Sequence, residues 1–257
     1  MPWYRSQPEG RGLSAVAYEL RFYRDWVKAD ELTSFEVKLR ETDLAIRAHS
    51  DLTAEASKRV KRVRRDLEIY AESRPGFFWA MTPRRVDPDS PDIVREMVES
   101  AALYGVGPMA AVAGAIAQAV GRELLKFSPE VIVENGGDVF LQMNRPTRLM
   151  LYSGEKSAFG GKLVVKIDAP GEPRGVCTSS ARIGPSLSHG AADAVLAISD
   201  NAALADAAAT AIGNRVKSPQ DVPDVLEQEK SRGLLLGAVV TIGETFGAFG
   251  EVELEEL

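Results

Sequence analysis

A single cysteine, Cys177, stands among 257 residues, which excludes an intrachain disulfide. Only two histidines, His49 and His189, accompany it. A zinc site of the usual Cys/His kind therefore cannot be assembled within the chain, whereas a hard-metal site built from oxygens stays open. No apolar run is long enough to cross a bilayer: the least polar stretch, Met109–Val120, is short and Ala-rich. The first residues, Met1–Ser6, carry no apolar core of signal-peptide length. Positive charge is in deficit, with Lys+Arg 31 against Asp+Glu 37 and a net charge of −6. A field of that sign repels phosphate and argues against nucleic acid or an anionic membrane as a partner. These absences predict a soluble, cytoplasmic protein.

What is present is ample apolar material, 45% of the residues, enough for a full core. Residues 1–14 are rich in Gly, Pro and Arg and are expected to form a flexible arm, with 15–257 forming one domain. Tyr18–Tyr23, Phe35–Leu39 and Leu44–Ala48 alternate apolar and polar residues, as half-buried strands do, and Arg40–Asp43 suggests a hairpin between the last two. Ala56, Val60, Val63, Leu67 and Tyr70 then form one helical stripe, with Ser50 or Asp51 as its cap. Six cations (Lys58, Arg59, Lys61, Arg62, Arg64 and Arg65) share the other faces. With no aromatic interleaved to stack bases, a solvated helix face outweighs an RNA or phosphate grip. Phe77–Met81 reads as a strand, Ser90-Pro91 opens a helix, and Pro108 opens a third. Further strands are predicted at Val131–Val133, Val139–Leu141, Arg148–Tyr152, Lys162–Ile167, Ala194–Ile198 and Leu234–Ile242. Helices are predicted at Ala202–Ile212, stopped by Gly213-Asn214, and at Val222–Lys230, with an acidic tail to end the chain. Strands grouped with strands and helices with helices give an α+β class.

Five segments carry candidate chemistry. Gly105-Val106-Gly107-Pro108-Met109-Ala110 fits a loose dinucleotide pattern, but the preceding residues read as helix, so a helix–helix connection is favoured over a nucleotide-dependent oxidoreductase. Asn135-Gly136-Gly137-Asp138 lies between two apolar runs and signals a tight hairpin, whose backbone a ligand can approach closely. Cys177-Thr178-Ser179-Ser180-Ala181-Arg182 reads as a hydroxyl-rich loop with one cation, suited to phosphate or a flavin edge, with Cys177 as a small buried group. Ser188-His189 has no third partner assignable from sequence, which leaves a hydrolase triad a weak reading. Asp206 and Thr210 sit four apart in an Ala-rich helix and so project from one face. A carboxylate and a hydroxyl on such a helix suit Mg²⁺; the competing reading is that Thr210 bonds a carbonyl and Asp206 caps a loop or faces solvent.

In order, Ala111-Val112-Ala113-Gly114, Asn135-Gly136-Gly137-Asp138, Thr178-Ser179-Ser180 with Arg182, and Ala205-Asp206-Ala207-Ala208-Ala209-Thr210 resemble the ApbE-like superfamily. Its best-known members are flavin transferases that take FAD with Mg²⁺, attach FMN to a protein Thr or Ser hydroxyl and release AMP; older descriptions link them to thiamine biosynthesis. The resemblance implies a T-fold, with antiparallel sheets, packed helices and an internal structural duplication. It implies FAD held by Asn135, Gly136, Gly137, Asp138, Thr178, Ser179, Ser180 and Arg182, and Mg²⁺ on Asp206, Thr210 and a main-chain carbonyl near Val112. Asp206 and His189 are the candidate catalytic residues. The implied partners are a flavin or related nucleotide and a protein acceptor, with a homo-oligomer as a further option. The sequence departs from the transferases at Ala113, where they usually carry Lys, at Ser180 in place of Gly, and around His189, whose spacing to Asp193 is offset by one and lacks Pro. A non-catalytic binding or assembly module is the competing reading.

Overall fold

Strict alternation of buried and exposed residues builds the first hairpin. Strand β1 (Thr33–Leu39) pairs antiparallel with β2 (Thr42–Ala48), which turns Leu44, Ile46 and Ala48 inward. The computed structural model describes residues 31–152, 162–180 and 190–255. The expected arm at 1–14, the expected strand Tyr18–Tyr23, Arg182, Ser188 and His189 lie outside the described residues.

Helices α1 (Thr53–Glu72), α2 (Asp92–Tyr104) and α3 (Val112–Leu124) follow, and a 3-10 turn (Pro108–Ala111) leads into α3. Then come β3 (Val131–Asn135), β4 (Asp138–Gln142), β5 (Thr147–Tyr152), β6 (Lys162–Ile167), β7 (Pro173–Ser179) and β8 (Ala194–Ser199). Helices α4 (Ala202–Arg215) and α5 (Asp221–Arg232) precede β9 (Gly237–Ile242), β10 (Thr245–Gly250) and β11 (Glu253–Glu255). Eight strands form one sheet in the order β1-β2-β3-β4-β7-β8-β9-β10, antiparallel throughout. The class is α+β, as expected. The implied duplication appears as repeated connectivity: hairpin, helices, hairpin for β1–β4, then again for β7–β10.

Period-two alternation divides the core. Val133, Phe140, Cys177, Ala197 and Val240 face the helices. Val139, Leu141, Val176, Ile198 and Val239 face away, onto Leu149, Val165 and Ile167 of the small sheet β11-β6-β5. The layers are thus helices, large sheet, small sheet.

All five residues of the α1 stripe are buried. Asp51 accepts the Thr53 N–H at 2.9 Å, so it serves the helix start although Leu52 occupies the cap position. Four of the six α1 cations are committed within the chain: Arg59 to the Ala119 carbonyl, Arg62 and Arg65 to Asp66, and Arg64 to Glu41, Thr42 and Glu68. Other expectations need correction. Phe77–Met81 is not a strand. Its backbone closes turns on itself (Phe77 N–H to Arg74 O, Ala80 N–H to Phe77 O), and the Phe77 ring packs edge-on against Tyr70 at 5.1 Å. Gly213-Asn214 does not stop α4, which runs to Arg215. The acidic tail contains two strands, β10 and β11. Helix α2 precedes Gly105, which ends it in the left-handed conformation at φ 69°. The strand that a dinucleotide loop requires is therefore missing, and the oxidoreductase reading loses its basis.

Among the described residues no single helix is long and apolar enough to cross a membrane.

Candidate functional site

Helix α4 explains how the site is assembled. It is Ala-rich because it is enclosed: ten of its residues, including Ala202, Ala205, Asp206 and Ala209, are buried. Ala202 is wedged between a helix and a strand. A Cβ built on Gly114 of α3 would lie 2.2 Å from the Ala202 carbonyl oxygen, and one on Gly175 of β7 would lie 2.3 Å from the Ala202 Cα. Only glycine fits at either place, so α3, α4 and β7 meet backbone to backbone.

At that junction Asp206 reaches the first turn of α3, where the Gly114 N–H donates to its Oδ2 at 2.9 Å. Helix α3 has no side-chain cap of its own, so Asp206 supplies one from a neighbouring helix. The Asn135 Nδ2 donates to the Ala113 carbonyl in the same turn at 3.1 Å, which ties the β3–β4 hairpin to α3. That hairpin is the tight two-residue turn expected. Asn135 pairs with Asp138 across it, and Gly136 and Gly137 occupy positive φ at 70° and 106°. Glu134 accepts the Gly137 N–H at 2.9 Å. Asp138 accepts the Thr178 N–H at 3.1 Å, and the Thr178 hydroxyl donates to the Gly137 carbonyl at 3.2 Å. Turn, strand end and Ala-rich helix thus converge.

Strand alternation sorts the residues further. Asn135 and Asp138 are in step with Val133 and Phe140 on the helix-facing side, as Ser179 is with Cys177. Thr178 is in step with Val176 and falls on the other side. Thr178 and Ser179 end a strand, not a loop as expected; Ser180 follows, and its hydroxyl donates to the Asp193 carbonyl at 2.7 Å. Val112, the first residue of α3, and Thr210, one turn beyond Asp206, are half-buried.

The electrostatics single out Asp138 and Asp206. Both are buried. Burial, then the charge of Asp206, raises the Asp138 carboxyl well above the ordinary range, and the Thr178 N–H offsets part of this. Burial raises Asp206 to about 7 against the pull of the Gly114 and Ala113 N–H groups. Cys177 is raised by burial and then by both carboxylates. Its thiol stays protonated and donates to the Ala202 carbonyl at 3.3 Å, so it behaves as the small buried group expected. Among the described residues neither aspartate has a cationic partner.

A family profile described as AbpE bacteria matches residues 24–237. The chain belongs to that family. Among its relatives, a UPF0280 protein of Methanosarcina barkeri is 38% identical over 231 residues, 87% of this chain and 90% of that protein. A UPF0280 protein of Methanopyrus kandleri is 39% identical over 225 residues, 84% and 90%. In fold, this AbpE-family chain is similar to the flavin transferase ApbE from Vibrio cholerae, with a TM-score of 0.58 at 12% identity over 85% of this chain and 96% of that one. It is also similar to the flavinyl transferase ApbE of Pseudomonas stutzeri, with a TM-score of 0.56 at 14% identity over 85% and 93%. At such identities the likeness shows the fold.

The donor chemistry of this AbpE-family site suits a hard divalent cation. Two carboxylates are buried together with no cationic partner among the described residues, and carbonyl and hydroxyl oxygens stand nearby on the first turn of α3 and on Thr210. Among the described residues no cluster of three or more Asp, Glu, His or Cys side chains is assembled. A site with fewer protein carboxylates is open to Mg²⁺, which takes one or two and completes its shell with water and phosphate. Three features escaped sequence reading: Gly114 and Gly175 as contact points, Glu134 as the brace of the turn, and Gln118. The last had a visible signal, since it is the one polar residue in the run Val112–Val120 of a helix apolar on every side.

Proposed function

We propose that the chain binds a flavin nucleotide together with Mg²⁺ where the β3–β4 turn, the end of β7 and the first turns of α3 and α4 converge. We propose further that it transfers FMN from FAD to a protein Thr or Ser hydroxyl. The observation that carries this reading is the buried Asp138–Asp206 pair, which has no cationic partner among the described residues and is braced by backbone N–H groups, with the Cys177 thiol against Asp138. Its similarity in fold to flavin transferases of Vibrio cholerae and Pseudomonas stutzeri supports the choice of ligand.

In this reading Asp206, with Thr210 and a carbonyl near Val112, holds the cation. Asn135, Gly136, Gly137 and Asp138 form the wall against which the nucleotide lies, with Thr178, Ser179, Ser180 and Arg182 beside it and His189 as a further candidate for proton transfer. The divalent cation, when bound, supplies charge neutralisation at the pyrophosphate. The acceptor hydroxyl forms a bond to the FMN phosphorus, the bond from that phosphorus to the bridging oxygen breaks, and AMP leaves with that oxygen. The hydroxyl proton passes to a base on the protein. The test is AMP release from FAD, followed by chromatography with and without Mg²⁺. Mg²⁺-dependent AMP that disappears in Asp206→Asn supports transfer.

One observation favours a second reading, a module that binds the nucleotide without turning it over. Ala113 stands where the transferases usually carry Lys, which removes a cation that would stabilise charge at the reacting phosphate. Saturable FAD binding with no AMP released would select it.

A further inference from the structure

Helices α3 and α4 cap each other. Asp206 of α4 accepts the Gly114 N–H in the first turn of α3, and Gln118 of α3 accepts the N–H of Ala202, the first residue of α4, at 2.8 Å. Because a backbone N–H can only donate, the oxygen of the Gln118 amide must face Ala202 and its Nε2 must face Glu96, to which it donates. Gln118 has no exposed surface. The same Glu96 oxygen accepts from Asn201 Nδ2 at 3.1 Å and from Arg122 at 3.3 Å. Asn201 in turn caps α4 by accepting the Leu204 N–H at 3.0 Å. The start of α4 is therefore pinned from α2 and α3 through Glu96 and Gln118, one turn before Asp206. Gly114 brings the two helices so close that any slide of α4 changes where the Asp206 carboxylate lies.

We propose that Gln118, backed by Glu96, is a positioning residue: it sets the register of α4 on α3 and so holds the Asp206 carboxylate on the first turn of α3. This deepens the proposed cation site and rests on it only for its functional consequence. The bonding pattern supplies its own rescue. Gln118→Glu keeps an acceptor for Ala202 but sets a second carboxylate against Glu96. Adding Glu96→Gln restores a donor between them and retains an acceptor for Asn201 and Arg122.

The readout is the Gly114 backbone amide in ¹H–¹⁵N spectra of the full chain, with Mn²⁺ binding followed by electron paramagnetic resonance. Asp206→Ala defines how far the Gly114 resonance moves when its acceptor is removed. Q118E is expected to move it through most of that span and to weaken Mn²⁺ about tenfold; Q118E/E96Q is expected to restore both. A folded Q118E with Gly114 at its wild-type position overturns the proposal, as does an exchange variant that leaves it displaced. If Q118E alone does not fold, the exchange variant decides: it folds with the wild-type resonance, or the proposal fails. Should Gly114 respond as expected while the wild-type chain binds no Mn²⁺, the positioning role stands and the cation site falls.

Discussion

Glu229 has no exposed surface, yet both of its carboxylate oxygens are answered: Tyr104 donates to one at 3.0 Å, and Arg232 approaches the other at 3.4 Å while Arg215 pairs with it directly. Arg232 also stacks over the Tyr104 ring at 4.5 Å, joining the ends of α2 and α5. Asp138 and Asp206 are buried too, but among the described residues they accept from backbone N–H groups with no cation beside them, and the charge that acts most on Asp138 is Asp206. A buried acid compensated by two guanidinium groups is a structural clasp. The aspartate pair has no such compensation among the described residues, and that contrast, more than burial itself, separates the clasp from the candidate site.

The contrast breaks most visibly at Glu229. Glu229→Ala leaves two arginines and a phenol facing a void, and is expected to remove about 3–5 kcal/mol of stability. In thermal denaturation that is a fall of roughly 10 °C or more; a change of only a degree or two would show that the clasp is not one. Gly114→Ala should come next, about 1–3 kcal/mol by chemical denaturation, because the new methyl meets the Ala202 carbonyl and α4 must shift. An unchanged midpoint would mean the two helices are not in backbone contact.

Much of this was legible in advance. Alternation and helical stripes identified β1–β4, β8 and β9 of the large sheet and the core face of α1, because period-two and period-3.6 burial leave direct marks, whereas β7 read as a hydroxyl-rich loop. Asn135-Gly136-Gly137-Asp138 read as a hairpin for the same local reason. Phe77–Met81 has the apolar density of a strand but turns back on itself and packs against α1 instead of pairing with a neighbour. β10 escaped because half of Thr245-Phe246-Gly247-Ala248-Phe249-Gly250 is Gly or Ala, and its Gly247 lies under Val222 and Leu226 of α5. In the site, Asp206 stood out as a lone carboxylate among alanines. Gln118 acts across the fold, marked locally only as the polar residue in an apolar run, and Glu134 braces its own turn, where nothing in the residue type marks it.

The smallest effect sharpens the contrast from the surface. Asp87 accepts from Tyr70 at 2.7 Å and from Arg74, and these bonds, Tyr70 first, hold its carboxyl below the ordinary 3.8. A depressed carboxyl stabilises the fold above its unfolded value and loses that contribution as pH falls through the folded one. Wild-type chain should therefore melt slightly above Asp87→Asn at neutral pH, and the gap should close below about pH 4. A gap that widens on acidification would contradict the assignment.

The central claim is tested most directly by titrating FAD, in the presence of Mg²⁺, into wild-type chain and Asp206→Asn, with the melting temperature of each recorded without ligand. Asn retains an acceptor for Gly114 and removes the repulsion from Asp138, so the variant should melt within about 1 kcal/mol of wild type, or above it, while saturable Mg²⁺-dependent binding disappears. Equal binding by both proteins, or none by wild type, would contradict the account.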